Sequence, residues 1–200
     1  TDTVYGVAAD AFSPEAVQLL LEAKGRGRQS PPPVLMPKAE TMDGLAQNIP
    51  DEVRALAKKF WPGGLTIVLE AQPSLSWDLG DTNGTVAVRV PNHPVALELL
   101  ADTGPLAVSS ANLTGHPAAT TAADAHDQLG ARVEVYLDAG DSREGLSSTI
   151  IDATALSRGT GGVRILRDGV ISAAQLRKVL GDKLEPATTA QGAQTEKAKG

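Results

Sequence analysis

Short apolar strands and amphipathic helices alternate along most of this sequence. Ser13-Pro14-Glu15 is typical of a helix start, and apolar residues follow it at helical spacing. The segment 51–60 has the same periodicity, whereas 65–70 is typical of a buried strand and 84–91 alternates with a period of two. Strands interleaved with amphipathic helices predict an α/β or α+β sheet, although the pattern leaves the strand order open.

The same patterns extend to the later part of the chain. We predict further strands over 105–108, 133–138, 148–152 and 163–167, and helices from Pro94, over 121–129 and over 172–181. The last helix carries a capping box, Ser172 with Gln175. A length of 200 residues suits one domain, which we place at 1–181. Residues 182–200 are predicted to form a disordered tail because they lack apolar periodicity.

Composition excludes several classes of function. A formal charge of −6 and 3% aromatic residues argue against broad nucleic-acid binding or base stacking on an aromatic platform. The chain has no cysteine, so it has no thiol nucleophile and no disulfide. Its three histidines lack metal-ligand spacing, and the common nucleotide-binding and hydrolase motifs are absent. No apolar run reaches membrane-spanning length and no secretory signal opens the chain, so we expect no membrane association and a cytoplasmic protein.

Arg89 is an unusual residue for the strand that carries it. In "GTVAVRVP" the valines form one face, and Arg89 shares the other face with Thr85 and Ala87. That face meets either solvent or a cavity. Small neighbours leave room for a ligand carboxylate, which an arginine can hold through two parallel hydrogen bonds.

A second basic feature is the series Lys24, Arg26 and Arg28 in "KGRGRQSPPP". Lys24 lies in the last turn of the first predicted helix, where a cation is favourable for the helix itself. Arg26 and Arg28 lie beyond Gly25, which is well placed to end that helix. The cluster is therefore either a solvated loop or part of an anion site.

Five polar segments lie at predicted strand ends, in the order TDTVYG, KGR, TVAVRVP, SSANLTG and STIID…ILRDG. Together they resemble the YrdC/Sua5 family of threonylcarbamoyl-AMP synthases, from Thr1 to about Leu180. The resemblance implies a YrdC-like twisted open mixed sheet with flanking helices around a concave, locally positive cavity. Members of this family usually have a strand and a helix before the first motif, so domain 1–181 is expected to be the single-domain form without its leading strand and helix.

The resemblance also implies a reaction. Family members condense L-threonine, bicarbonate and ATP into threonylcarbamoyl-AMP and release pyrophosphate, with Mg²⁺ held through the ATP phosphates and no metal site on the protein. A separate transferase complex then passes the threonylcarbamoyl group to adenosine 37 of tRNAs that read ANN codons. Two alternatives stay open: an RNA-binding module of the same fold without adenylation, or a related enzyme that acts on carbamoyl-adenylate or another nucleotide.

The resemblance also implies site residues, which we assign by their position in the five segments. Catalytic roles fall on Lys24 and Arg26. Nucleotide contacts fall on Lys24, Arg26, Ser30, Thr85, Ser110, Asn112 and Arg167, and L-threonine contacts on Thr3, Arg89 and Ser148. Ser30 stands where relatives commonly have Asn, and Leu35 where a His often lies. Arg28 matches no fixed position of the family and is expected to be solvated.

Overall fold

The computed structural model describes residues 1–142 and 145–186, which form a seven-stranded open sheet in the order β1-β5-β2-β4-β3-β6-β7. The strands are β1 (Gly6–Asp10), β2 (Val34–Leu35), β3 (Leu65–Glu70), β4 (Thr85–Arg89), β5 (Leu106–Ser110), β6 (Thr149–Asp152) and β7 (Arg164–Arg167). β2 pairs with β4, and β3 with β6, in parallel, while the other neighbours are antiparallel. The predicted mixed α/β sheet is confirmed.

The α-helices of the described residues are α1 (Pro14–Ala23), α2 (Met42–Leu45), α3 (Asp51–Phe60), α4 (Pro94–Thr103), α5 (Ala122–Leu129), α6 (Thr154–Ser157) and α7 (Ala173–Leu180). α1 begins as predicted, because the Ser13 hydroxyl accepts a hydrogen bond from the Ala16 amide. The helix ends at Ala23, and Gly25 lies just beyond it with a φ of +60°, which favours glycine. The capping box of α7 is also present.

The central strands separate an apolar face from a polar one. On β4 the side chains of Val86 and Val88 lie in the core, while Thr85, Ala87 and Arg89 line a cavity on the other side. Neighbouring β3 and β6 follow the same rule, since Leu65, Ile67, Leu69 and Ile151 are fully buried in the core. The predicted two-faced strand is therefore confirmed, and its polar face turns toward a cavity.

Two hydrophobic clusters stabilise this arrangement. The larger one joins the apolar face of β3, β4 and β6 to α3 and α7, with Leu56 and Leu176 fully buried. The smaller one packs Leu20 and Leu21 of α1 against Leu129 of α5. Because α1 is held from both sides, its C-terminal end presents the Lys24–Arg28 segment at a fixed place beside the sheet.

The predicted strand over 133–138 is wrong. These residues form no strand, and Val135 and Leu137 are 68% and 56% exposed. Val133 and Tyr136 pack against the smaller hydrophobic cluster, but the segment has no neighbouring strand to pair with. Conversely, β2 was not predicted, because two residues after three prolines carry too little pattern.

The described fold continues past the predicted domain end at 181. Leu184 is buried and bridges to Val163, and the Glu185 amide donates to the Val163 carbonyl. The rest of the predicted tail, from 187 to 200, lies outside the described residues. Within the described ranges, no helix has the length and apolar character needed to cross a bilayer.

Candidate functional site

The polar face of the sheet opens into a cavity of about 420 Å³ between β4, β3, β6 and the ends of β1 and β5. Seven of the ten predicted site residues line it: Thr3, Arg26, Thr85, Arg89, Ser110, Ser148 and Arg167. Lys24, Ser30 and Asn112 do not. Residues as far apart in the sequence as Thr3 and Arg167 thus share one concave surface that carries three arginines.

Arg26 and Arg167 are the two arginines of the cavity lining that have no ion-pair partner among the described residues. Arg26 donates to the Ser109 hydroxyl at 3.3 Å. Arg167 donates to the Ser148 carbonyl at 2.7 Å and to its hydroxyl at 2.9 Å. Among the described residues neither forms an ion pair with a carboxylate. Burial and the like charge of Arg26 lower the pKa of Arg167, so the two cations share one region that favours an anion.

Arg89 lies deeper, with only 6% of its surface exposed. Its Nε donates to the Gly63 carbonyl at 2.9 Å, and Nη1 donates to the Thr3 hydroxyl at 3.0 Å. Nη2 forms an ion pair of 2.6 Å with Asp2. Burial lowers the pKa of Arg89, and the Asp2 carboxylate opposes that effect. These contacts use three of the five N–H groups of the guanidinium, which leaves two for a ligand.

Lys24 is fully buried behind the cavity wall rather than in it. Its ammonium donates to the Ser110 carbonyl, to the Asn112 carbonyl at 2.7 Å and to the Asn112 Oδ1 at 3.4 Å. Burial, followed by the charge of Arg26, lowers the pKa of Lys24 to about 8. Lys24 therefore holds the end of β5 in place, and a direct contact with a nucleotide stays a prediction.

Asn112 completes that support. Its Nδ2 donates to the Leu113 carbonyl at 2.8 Å and to the His116 carbonyl at 2.9 Å. With the contact to Lys24, the side chain ties together both ends of the 110–116 loop. In the SSANLTG segment, Ser110 therefore faces the cavity and Asn112 fixes the loop behind it.

Hydroxyl groups line the wall between the arginines. Thr85 Oγ1 donates to the Thr82 carbonyl at 2.7 Å and keeps lone pairs free toward the cavity. Ser148 shares a 2.8 Å hydrogen bond with Thr66, a buried residue of β3. Ser30 is half-buried in the turn after Gly27 and lies outside the cavity lining.

Sequence reasoning missed four lining or supporting residues: Asp2, Thr66, Asp81 and Ser109. Thr66 could have been found, since it occupies the polar-face position of "LTIVLE". Asp81 lies in an irregular loop, where no periodicity identifies the face of a side chain. Arg28 is exposed to solvent, as expected, and it also forms a two-point ion pair with Asp78 and a longer one with Asp81.

A second depression of about 500 Å³ lies next to this cavity and is mainly apolar. Val95, Leu99 and Leu106 line it, and none of its lining residues that the structure describes is an arginine. The polar cavity is smaller but holds the cations and hydroxyls, so it is the site suited to an ionic ligand. Within the described residues, no three His, Cys, Asp or Glu side chains group as metal ligands.

Comparison with known proteins gives a family and named relatives. The Sua5/YciO/YrdC family model, described as "Telomere recombination", matches residues 1–169. A Mycobacterium tuberculosis protein with the provisional name threonylcarbamoyl-AMP synthase is 51% identical over 181 residues, which cover 90% of this chain and 81% of the relative. The Bacillus subtilis threonylcarbamoyl-AMP synthase is 37% identical and covers 90% of this chain.

A solved structure shares the fold. The Pyrococcus abyssi Sua5 crystal structure, complexed with L-threonine, is 36% identical to this chain and superposes with a TM-score of 0.86. The match covers 100% of this chain and 58% of the archaeal protein, and the chain spans 51% of the Bacillus relative. This chain therefore corresponds to most of the mycobacterial protein and to just over half of the two longer ones.

Proposed function

This chain belongs to the Sua5/YciO/YrdC family, and from that premise we propose that it is a threonylcarbamoyl-AMP synthase. The reaction joins L-threonine, bicarbonate and ATP and releases pyrophosphate. The observation that carries the proposal is the placement of Arg26 and Arg167 in one cavity without a carboxylate partner among the described residues, beside the buried Arg89. Three arginines in one cavity suit two anionic groups, the phosphates of ATP and the carboxylate of threonine.

The nucleotide is assigned to the half of the cavity that holds Arg26 and Arg167. Their side chains would contact the triphosphate, with Thr85 and Ser110 as neutral hydrogen-bonding partners. Fixed cations at this position favour the reaction because charge accumulates at the α-phosphorus and on the departing pyrophosphate. Lys24 and Asn112 support this half by holding the loop that carries Ser110.

Threonine is assigned to the half that holds Arg89, Thr3 and Ser148. Arg89 would hold the substrate carboxylate with its two remaining N–H groups. The amino group combines with bicarbonate to give a carbamate, with loss of water. A carbamate oxygen then bonds to the α-phosphorus as the bond to pyrophosphate breaks. No side-chain nucleophile takes part in this scheme, which suits a chain without cysteine.

The proposed reaction includes Mg²⁺, which would enter the site bound to the phosphates of ATP. The described residues provide no carboxylate cluster for it, and Asp81, the acidic residue of the cavity lining, is paired with Arg28. The donor set therefore fits a cation that arrives on the phosphates, where it neutralises phosphate charge. We further propose that the product serves adenosine 37 of ANN-reading tRNAs through a separate transferase complex, in the cytoplasm.

The test is pyrophosphate release from ATP and Mg²⁺ with bicarbonate present, measured with and without each of several amino acids. Release that requires L-threonine supports the synthase. Release independent of the amino acid would favour the related carbamoyl-adenylate or nucleotide enzyme. Absence of release, together with RNA binding, would favour the binding module instead.

A further inference from the structure

We propose that Arg28 is a positioning residue of the anion site. It fixes the 78–82 wall, defined as residues 78–82 at the edge of the cavity, and neutralises the two carboxylates in this wall. The inference rests on the proposed function for the identity of the anion, ATP. The position of Arg28 outside the cavity distinguishes it from the residues assigned above to substrate contact.

The ion pairs of Arg28 reach both carboxylates of the wall. Its Nη1 and Nη2 donate to the two oxygens of Asp78 at 3.0 and 2.8 Å, a planar two-point contact. Its Nε lies 3.5 Å from an Asp81 oxygen. One cation therefore serves two anions, and Asp81 is a residue of the cavity lining.

Main-chain contacts hold the same two segments together. The Asp81 amide donates to the Arg28 carbonyl at 2.8 Å. Gly80 approaches so closely that a Cβ added there would lie 2.6 Å from the Arg28 carbonyl oxygen. Asp78 also accepts a 3.0 Å bond from the Gly80 amide. The backbone of the wall is thus fixed near the cavity edge, and the Asp78 carboxylate has a contact besides Arg28.

The consequence follows from the charge of the ligand. Thr82, Asn83 and Thr85, which follow Asp81, line the cavity, so the wall lies against the nucleotide half assigned above. An ATP molecule carries several negative charges, and an uncompensated Asp81 would repel them. Arg28 cancels this repulsion without touching the ligand. Because the groups are partly exposed, the effect must depend on salt concentration.

The chain offers a matched control. Arg54 pairs with Asp43 at 2.7 Å, and its side chain is 49% exposed, as is that of Arg28. Neither Arg54 nor Asp43 lines the cavity. Any general effect of breaking an exposed arginine–aspartate pair is therefore present in Arg54→Ala, while an effect on the anion site is not.

The experiment measures the dissociation constants of Mg²⁺-ATP and of inorganic pyrophosphate by calorimetry at low and high salt. The variants are Arg28→Ala, Asp81→Asn, the double variant and Arg54→Ala. We expect Arg28→Ala to weaken binding of both ligands by about 3- to 10-fold at low salt and by less at high salt. The double variant should recover most of that loss, and Arg54→Ala should bind like the unsubstituted chain. Threonine affinity should stay unchanged in all four.

Several results would overturn the inference. Equal binding by Arg28→Ala and Arg54→Ala would leave the proposed function intact and remove the role of Arg28. A loss in Asp81→Asn as large as that in Arg28→Ala would mean that Asp81 helps to hold Mg²⁺. A loss that neither salt nor the second substitution changes would make Arg28 purely structural. Failure of the unsubstituted chain to bind either ligand would overturn both proposals.

Discussion

Asp2 and Arg89 form an ion pair of 2.6 Å in which the two side chains are only 17% and 7% exposed. The pair joins the segment before β1 to the middle of the sheet. It also sets Thr3, whose hydroxyl accepts from the same guanidinium, at the threonine half of the cavity. The Asp2 carboxylate further accepts a 3.0 Å bond from the Asn92 amide, so it has a fixed position of its own.

Substitution of Arg89 should affect threonine use and stability together. Arg89→Ala leaves Asp2 without its cation, and the loss of one partner of a buried pair costs about 3–5 kcal/mol in free energy of unfolding. Where the protein stays folded, we expect a large rise in KM for threonine and little change in ATP affinity. Urea unfolding and threonine-dependent pyrophosphate release measure the two effects.

Asp2→Asn is the milder companion variant. It keeps a hydrogen-bond acceptor for Arg89 but removes the negative charge, so we expect a smaller loss of stability and a folded protein. An unchanged KM for threonine in Arg89→Ala would contradict the carboxylate role, whatever happens to stability.

Arg26→Ala should weaken ATP use. Removal of a charge-assisted contact to phosphate costs on the order of 1.5–3 kcal/mol, or roughly 10- to 150-fold in ATP affinity. The loss should exceed that of Arg28→Ala, because Arg28 acts only through the acidic wall. Calorimetry with Mg²⁺-ATP gives the comparison, with Arg54→Ala as the control. A larger effect at Arg28 than at Arg26 would place the triphosphate elsewhere.

The two-faced strand is the part of the site that the sequence could predict from physical pattern alone. A period of two in "GTVAVRVP" separates Arg89 from the valines, and the structure buries one face and opens the other. The same reasoning failed at 133–138, because alternation identifies a strand only where a neighbour can pair with it. Pairing partners depend on the whole topology, which local pattern does not contain.

The position of Lys24 was beyond sequence reasoning for a similar reason. Its end-of-helix location explained a cation, but not that its ammonium would be buried against Ser110 and Asn112. That contact joins positions 86 and 88 residues away. The ion pairs of Arg28 were beyond sequence reasoning for the same reason, since its partners Asp78 and Asp81 lie in an irregular loop 50 residues away or more.

Asn112→Ala should loosen the loop behind Ser110. The variant deprives the Leu113 and His116 carbonyls of their donor and removes one acceptor from Lys24. Because these bonds are only partly buried, each loss costs about 0.5–1.5 kcal/mol, and we expect lower stability and lower kcat. Hydrogen exchange of residues 111–116 measures the loosening. Slow exchange equal to that of the unsubstituted chain, with kcat reduced, would instead assign Asn112 a direct contact with substrate.

Lys24 should make stability depend on pH in an unusual direction. The pKa of Lys24 is about 8 in the folded chain, below the ordinary lysine value of about 10.5 in the unfolded chain. Between these values the unfolded chain binds more protons at this residue, so its contribution makes the free energy of unfolding rise with pH. Below pH 8 the contribution is constant, because both states are protonated.

Comparison with Lys24→Met isolates this contribution, since the two proteins share all other titrating groups. Urea unfolding from pH 7 to 10.5 should give a free-energy difference between them that stays level up to about pH 8 and then increases in favour of the unsubstituted chain. Arg26 also lowers the pKa of Lys24, so Arg26→Ala should move the onset to higher pH. Parallel pH profiles for the two proteins would mean that Lys24 keeps its ordinary pKa, and that burial against the Ser110 and Asn112 carbonyls stabilises its charge fully.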